Sequence, residues 1–212
     1  MRDVYHEELD SIGTTLIEMT GLVATALTKA TDALLGADLQ LAEQVIAADE
    51  QVDALQKSLD GRALDLLARQ QPVAGDLRTI VTSLRMSADL ERMGDLARHI
   101  AKVARLRYPE SAVPAELHAS ITEMGRIGVE LAIKTGQIID GQDVEAARGL
   151  EDEDDAVDRL HRALFSSLLQ DDSPYSVETA IDVTLLGRYY ERFADHAVSV
   201  ARRLIFLVTG EN

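Results

Sequence analysis

The chain has 212 residues, of which 46% are hydrophobic and 4% aromatic; it has no cysteine and a formal net charge of −16. That supplies core for one large domain or two small ones, and the missing thiols exclude a disulfide framework, a thiolate metal site and a cysteine nucleophile. Such a negative field disfavours phosphodiester backbones, anionic membrane surfaces and free phosphate that no cation bridges, and it favours cations and basic partner surfaces.

In chain order, four prolines (Pro72, Pro109, Pro114, Pro174) and two matched breaks, Gly36-Ala37-Asp38 and Gly141-Gln142-Asp143, divide the sequence. Between the breaks run six segments with helical periodicity and no strand-like alternation. Abundant Ala and Leu with few aromatics suit tightly packed helices. The predicted helices cover 3–35, 38–70, 73–107, 113–140, 143–170 and 174–209. In each break the Gly is expected just past a helix end, with the Asp capping the next helix.

Short connections make neighbours antiparallel, so the expected fold is all-α: two three-helix bundles, 1–108 and 112–212, joined by the linker Arg107–Pro114. The chain begins with no charged-then-apolar leader and holds no run of about 18 apolar residues. A soluble, cytoplasmic protein without membrane insertion is therefore the expectation.

The two halves repeat one another. Ala88-Asp-Leu-Glu91-Arg92-Met-Gly-Asp95 is answered by Arg188-Tyr-Tyr-Glu191-Arg192-Phe-Ala-Asp195, 100 residues later. Asp38–Leu55 is answered by Asp143–Leu160 at an offset of 105, which aligns Asp49 and Asp53 with Asp154 and Asp158. More faintly, Glu18-Met19 matches Glu123-Met124, and Lys29 matches Lys134.

Acids four positions apart share one helix face. Measured from turns near 71 and 173, the acid pairs on the two arms of each hairpin stand within about one helical turn of the same height. On the third helix, Leu77, Val81, Leu84 and Ala88 form a stripe that runs into Glu91 and Asp95, so the acids lie near the helix seam. Four unpaired carboxylates there would repel each other and raise their own pKa values. The candidate metal ligands are Asp49, Asp53, Glu91 and Asp95 in one half, and Asp154, Asp158, Glu191 and Asp195 in the other. Oxygen donors suit hard divalent or trivalent ions such as Mg, Mn or iron, with Zn a further candidate. Ordinary salt bridges from Arg92, Arg192 or Lys57 are the competing way to neutralise the acids.

Among the histidines, His99 shares the Asp95 face and His196 adjoins Asp195, which makes both candidates for the metal shell; the competing reading is a partly buried or surface polar group. Tyr189 and Tyr190 are expected to pack. Asp76 opens the third helix, where it suits the helix dipole. The acidic run Glu151–Asp155 is expected to be a solvated face from which Asp154 stands apart.

At these residues the chain resembles the PhoU family. Leu90-Glu91-Arg92-Met93-Gly94-Asp95-Leu96-Ala97 and Tyr190-Glu191-Arg192-Phe193-Ala194-Asp195-His196-Ala197 are similar to its duplicated motif, and Gln71–Arg78 resembles the segment that opens its third helix. Leu96 departs from a common His, and Phe193-Ala194 from an Ile-Gly pair; the bulky Phe193 is expected to bear on packing near the second site. The resemblance implies two three-helix bundles with multinuclear metal clusters at these acids. It also implies a non-enzymatic negative regulator of the phosphate-starvation response. Such a protein couples a phosphate ABC transporter, through its ATPase, to a sensor histidine kinase; no nucleic acid is implied, and a homodimer is compatible.

Two other readings compete. A ferritin-like di-metal enzyme would need Glu-x-x-His pairs, and none occurs; Asp158-Arg-Leu-His161 comes nearest, but its counterpart is Asp53-Ala-Leu-Gln56. A helical adaptor whose acids bind nothing is the other. No phosphate-binding Gly-rich loop is present, so ATP hydrolysis is not expected.

Overall fold

The computed structural model describes residues 2–70, 72–170 and 174–210, and their side chains from Glu7 onward except Gln70. The turn centres near 71 and 173, Gln71 itself and the His6 side chain lie outside these described residues. Among the described residues there is no strand. The helices are α1 (Arg2–Gly36), α2 (Leu39–Gln70), α3 (Ala74–Arg107), α4 (His118–Gly141), α5 (Val144–Leu168) and α6 (Val177–Thr209). A 3-10 turn, Ala115–Leu117, leads into α4, so the α-helix begins five residues later than the prolines suggested. Ser176 opens α6, its hydroxyl accepting from the Thr179 amide at 3.1 Å.

The two matched breaks behave alike. Asp38 Oδ1 accepts from the Leu41 amide at 2.9 Å and Asp143 Oδ1 from the Ala146 amide at 3.0 Å, so both aspartates cap as expected. The glycines do not take the left-handed position. That conformation falls one residue later, on Ala37 (φ 48°) and Gln142 (φ 49°). The reason is the closing hydrogen bond: the Asp38 amide reaches back to the Ala33 carbonyl and that of Asp143 to Ile138. This bond requires the preceding residue to be left-handed.

Each half forms the expected three-helix bundle, but the halves are not separate bodies. α1 packs on α4 and α3 on α6, so α1, α3, α4 and α6 form a central layer with α2 and α5 outside it. One apolar cluster runs through both halves, including the repeat-matched Met19 and Met124, both fully buried. Burying a side chain of this size contributes about 1.5–3 kcal/mol. The approach of α1 to α4 needs small residues: a Cβ at Gly128 would stand 2.7 Å from Leu27 Cδ2, and one at Gly125 would stand 2.8 Å from Thr31 Oγ1. Tyr190 is buried, its hydroxyl 2.9 Å from Thr31 Oγ1. The predicted linker is anchored too, with Ala112 and Val113 buried.

Polar groups pin the α3–α6 seam near its middle and at one end. Arg203 Nε donates to Asp89 Oδ2 at 2.5 Å, and His196 Nδ1 lies 3.0 Å from Asp89 Oδ1. Burial alone would push the Asp89 carboxyl up, but these hydrogen bonds hold it below its usual value. At the end of α3, Arg107 Nε donates to Asp182 Oδ2 at 2.5 Å, and Arg107 also engages Glu178.

Two acidic clusters as the candidate metal centre

The eight acids come together as two clusters, one on each hairpin. α2 brings Asp49 and Asp53 against Glu91 and Asp95 of α3. α5 brings Asp154 and Asp158 against Glu191 and Asp195 of α6. Asp49 is buried and the other seven are partly buried. Within each cluster the charges act on one another: Glu91 is raised by burial first and then by Asp95, Asp53 and Asp49. Glu191 is likewise raised by burial, then by Asp195 and Asp158, with Arg188 and His161 opposing.

The clusters differ in how they are neutralised. In the first, Arg98 reaches between the helices: its Nη1 lies 2.5 Å from Asp49 Oδ2, and its Nη2 engages Asp95 Oδ1. The Asp49 pair is close but lacks hydrogen-bond alignment, so Oδ2 is counterbalanced by charge without accepting an N–H. Burial still pushes the Asp49 carboxyl above its usual value, with Arg98 opposing it. Arg92 adds a second cation, 2.8 Å from Asp95 Oδ2. The predicted neutraliser Arg92 is therefore at work, whereas Lys57 and Arg192 form no ion pair among the described residues. Sequence reasoning missed Arg98. Its position three residues after Asp95 was the available signal, together with the loss of that charge at its repeat counterpart, Val198.

Nothing equivalent enters the second cluster. Val198 is buried where Arg98 would stand. Arg188 holds Glu191 from the exposed side. Asp154 is pushed up to about 7, by burial first and then by Asp195, Asp158, Glu191 and Asp155. Its Oδ1 is buried with no hydrogen-bond partner. The remainder of the acidic run is the expected exposed face, with Glu151 on Arg202 and Glu153 on Lys134, each at 2.5 Å.

With side chains as they stand, no three His, Asp or Glu residues among those described are disposed around one ion. The chemistry nevertheless separates the clusters: the second offers four oxygen-bearing side chains and an orphaned carboxylate oxygen, while in the first a guanidinium already fills the space between the helices. A hard cation fits the second donor set.

His99 and His196 are both partly buried polar groups. His196 turns away from the acids to Asp89 across the seam. The His99 ring lies against Tyr189, with centroids 5.3 Å apart, and burial lowers its pKa. His161, whose ring would meet a Cβ at Gly187 at 3.0 Å, is the one that bears electrostatically on the second cluster through Glu191.

This duplicated arrangement has known relatives. A family model described as the PhoU domain matches residues 16–104 and 121–204. The chain belongs to the PhoU family. The two matches start 105 residues apart and end 100 apart, the same offsets that relate the internal repeats. Over 210 residues, covering 99% of both chains, it is 50% identical to the phosphate-specific transport system accessory protein PhoU homolog 2 of Mycobacterium tuberculosis (strain H37Rv). Its fold matches the crystal structure of PhoU from Pseudomonas aeruginosa at a TM-score of 0.88 and 29% identity, covering 98% of this chain and 100% of that one. The phosphate transport system regulatory protein PhoU from Streptococcus pneumoniae matches at 0.86 and 26% identity, covering 98% of each. Within this PhoU frame, the departure at Phe193 bears on the core and not on the acids. Its ring would lie 3.5 Å from a Cβ at Gly128 of α4, so the absent glycine side chain accommodates it.

Proposed function

We propose that this PhoU-family chain is a cytoplasmic negative regulator of phosphate uptake and of the phosphate-starvation response, coupling a phosphate ABC transporter to a sensor histidine kinase. The observation that carries this reading is full-length similarity to phosphate-transport accessory proteins, joined to the paired acidic hairpins. The chain works as a scaffold and not as a catalyst. Its buried seam between halves gives a rigid platform, and no described helix is long and apolar enough to cross a membrane. Exposed apolar side chains cluster near one hairpin tip, with Phe165 on α5, Leu169 just past its end, and Val177, Ile181 and Leu185 on α6. Apolar surface of this kind supports docking of a protein partner such as the transporter ATPase or the kinase. The acidic surface would steer basic partner patches.

Metal belongs to the same proposal. Asp154, Asp158, Glu191 and Asp195 would hold a divalent or trivalent cation, iron, Mg, Mn or Zn, which would relieve their mutual repulsion and stiffen the α5–α6 hairpin. Deleting the gene in its own host tests the regulatory role: phosphate-starvation genes should be expressed in phosphate-rich medium. Normal repression, in a host with no second PhoU, would sink it.

A further inference from the structure

The seam between α3 and α6 holds a cavity of about 390 Å³. Thr82 and Arg85 of α3 line it, with Ser199, Arg202, Arg203 and Phe206 of α6. On each helix these residues recur at three- and four-residue spacings, so they form facing stripes.

The charge here runs against the molecule's net −16. Two of the pocket's arginines have internal partners: Arg203 pairs with Asp89 and Arg202 with Glu151, each at 2.5 Å. Arg85 has no ion pair or hydrogen bond among the described residues. Arg78 stands beyond Phe206, its Cζ 6.0 Å from the ring centroid and its buried Nε without an acceptor. Four guanidiniums thus face two carboxylates, and two positive charges stay unmatched.

The repeat shows what a balanced version looks like. At the opposite end of the seam, the counterparts of Arg78 and Thr82, 100 residues on, are Glu178 and Asp182. They clasp Arg107, and that end is neutralised from within. The pocket end has guanidiniums and hydroxyls where the other end has carboxylates, so an external anion would complete it. A charge of two and planar bidentate donors suit a phosphoryl group. The volume lies within the range of about 300–1,000 Å³ typical of small-molecule sites. Phe206 offers an apolar wall beside the cations.

We propose that this pocket binds the phosphoryl dianion of a small molecule, either inorganic phosphate or the phosphate of a mononucleotide whose base lies against Phe206. The site is independent of the acidic clusters.

Calorimetric titration of the full chain with inorganic phosphate, AMP and adenosine tests it. Saturable binding is expected for a phosphate-bearing ligand and not for adenosine. Arg85→Gln should weaken it at least tenfold without changing the thermal melt, because Arg85 is exposed and holds no internal partner. Phe206→Ala separates the two sources: loss of AMP affinity with phosphate affinity unchanged identifies the nucleotide, and phosphate binding that matches AMP and ignores Phe206 identifies the free anion. Absence of binding at millimolar concentration of either phosphate ligand overturns the proposal. So does binding that Arg85→Gln leaves intact, since an anion bridged by metal on the acidic clusters would be insensitive to Arg85.

Discussion

The two acidic clusters share a motif, a hairpin and a level in the fold, yet one residue gives them different chemistry. Arg98 turns the first into an internally compensated ion-pair network. With Val198 at the matching place, the second keeps an excess of negative charge, expressed as a raised Asp154 and an orphaned Oδ1. A buried charge must be paired, protonated or ligated. The first cluster is paired by the chain itself; the second must take a proton or an external cation. Duplication thus preserved the carboxylates while letting the two sites diverge in what they need from outside.

Exchanging the deciding residue gives the largest expected effect. Val198→Arg should supply the missing guanidinium and abolish metal retention, and Arg98→Val should open the first cluster and add a metal equivalent. Elemental analysis of protein purified without chelator would read both. Unchanged metal content in both variants would show that Arg98 does not decide occupancy. In metal-free protein, Arg98→Val should also cost about 1–3 kcal/mol in denaturant unfolding, because buried Asp49 loses the guanidinium paired with it.

The next effect is one of pH. In the unfolded chain Asp154 ionises near 3.8, while in the fold it holds its proton up to about 7. The native state therefore carries the extra proton across that window, so metal-free stability should fall as pH rises from about 4 to 7 and level off above. Asp154→Asn should remove that fall and leave the protein more stable than wild type at pH 8. Melting both across this range checks it, and parallel pH curves for the two would sink it. Bound metal should also flatten the wild-type curve, since the cation replaces the proton.

Much of this was legible in the sequence. The repeat offsets, the matched Asp38 and Asp143 caps and the convergence of eight acids all follow from spacing, because helix geometry converts spacing into a face and a height. What spacing could not supply was contact between elements far apart in sequence. Spacing sets His196 beside Asp195, whereas its partner is Asp89, on the other half of the chain. Arg98 belongs to the same class, because its second partner, Asp49, lies on α2. The left-handed residues Ala37 and Gln142 each follow a glycine, the residue that propensity favours for that conformation. The seam between halves escaped for a related reason: a repeat specifies each bundle but not the surface on which two bundles meet.

The smallest predicted effect bears on whether Arg188 does for the second cluster what Arg98 does for the first. Its repeat counterpart is Ala88, so the two halves reverse which acid has a cation beside it. Arg188 reaches Glu191 from the solvent side, and its side chain is 49% exposed, against 27% for Arg98. An ion pair that exposed is screened and contributes about 0–1 kcal/mol. The charges that act most on Asp154 are the carboxylates of Asp195, Asp158, Glu191 and Asp155, and Arg188 is not among them. Arg188→Ala should therefore shift unfolding free energy by no more than about 0.5 kcal/mol and leave metal content unchanged. A cost equal to that of Arg98→Val would mean that both clusters are compensated from within, and the contrast between them would collapse.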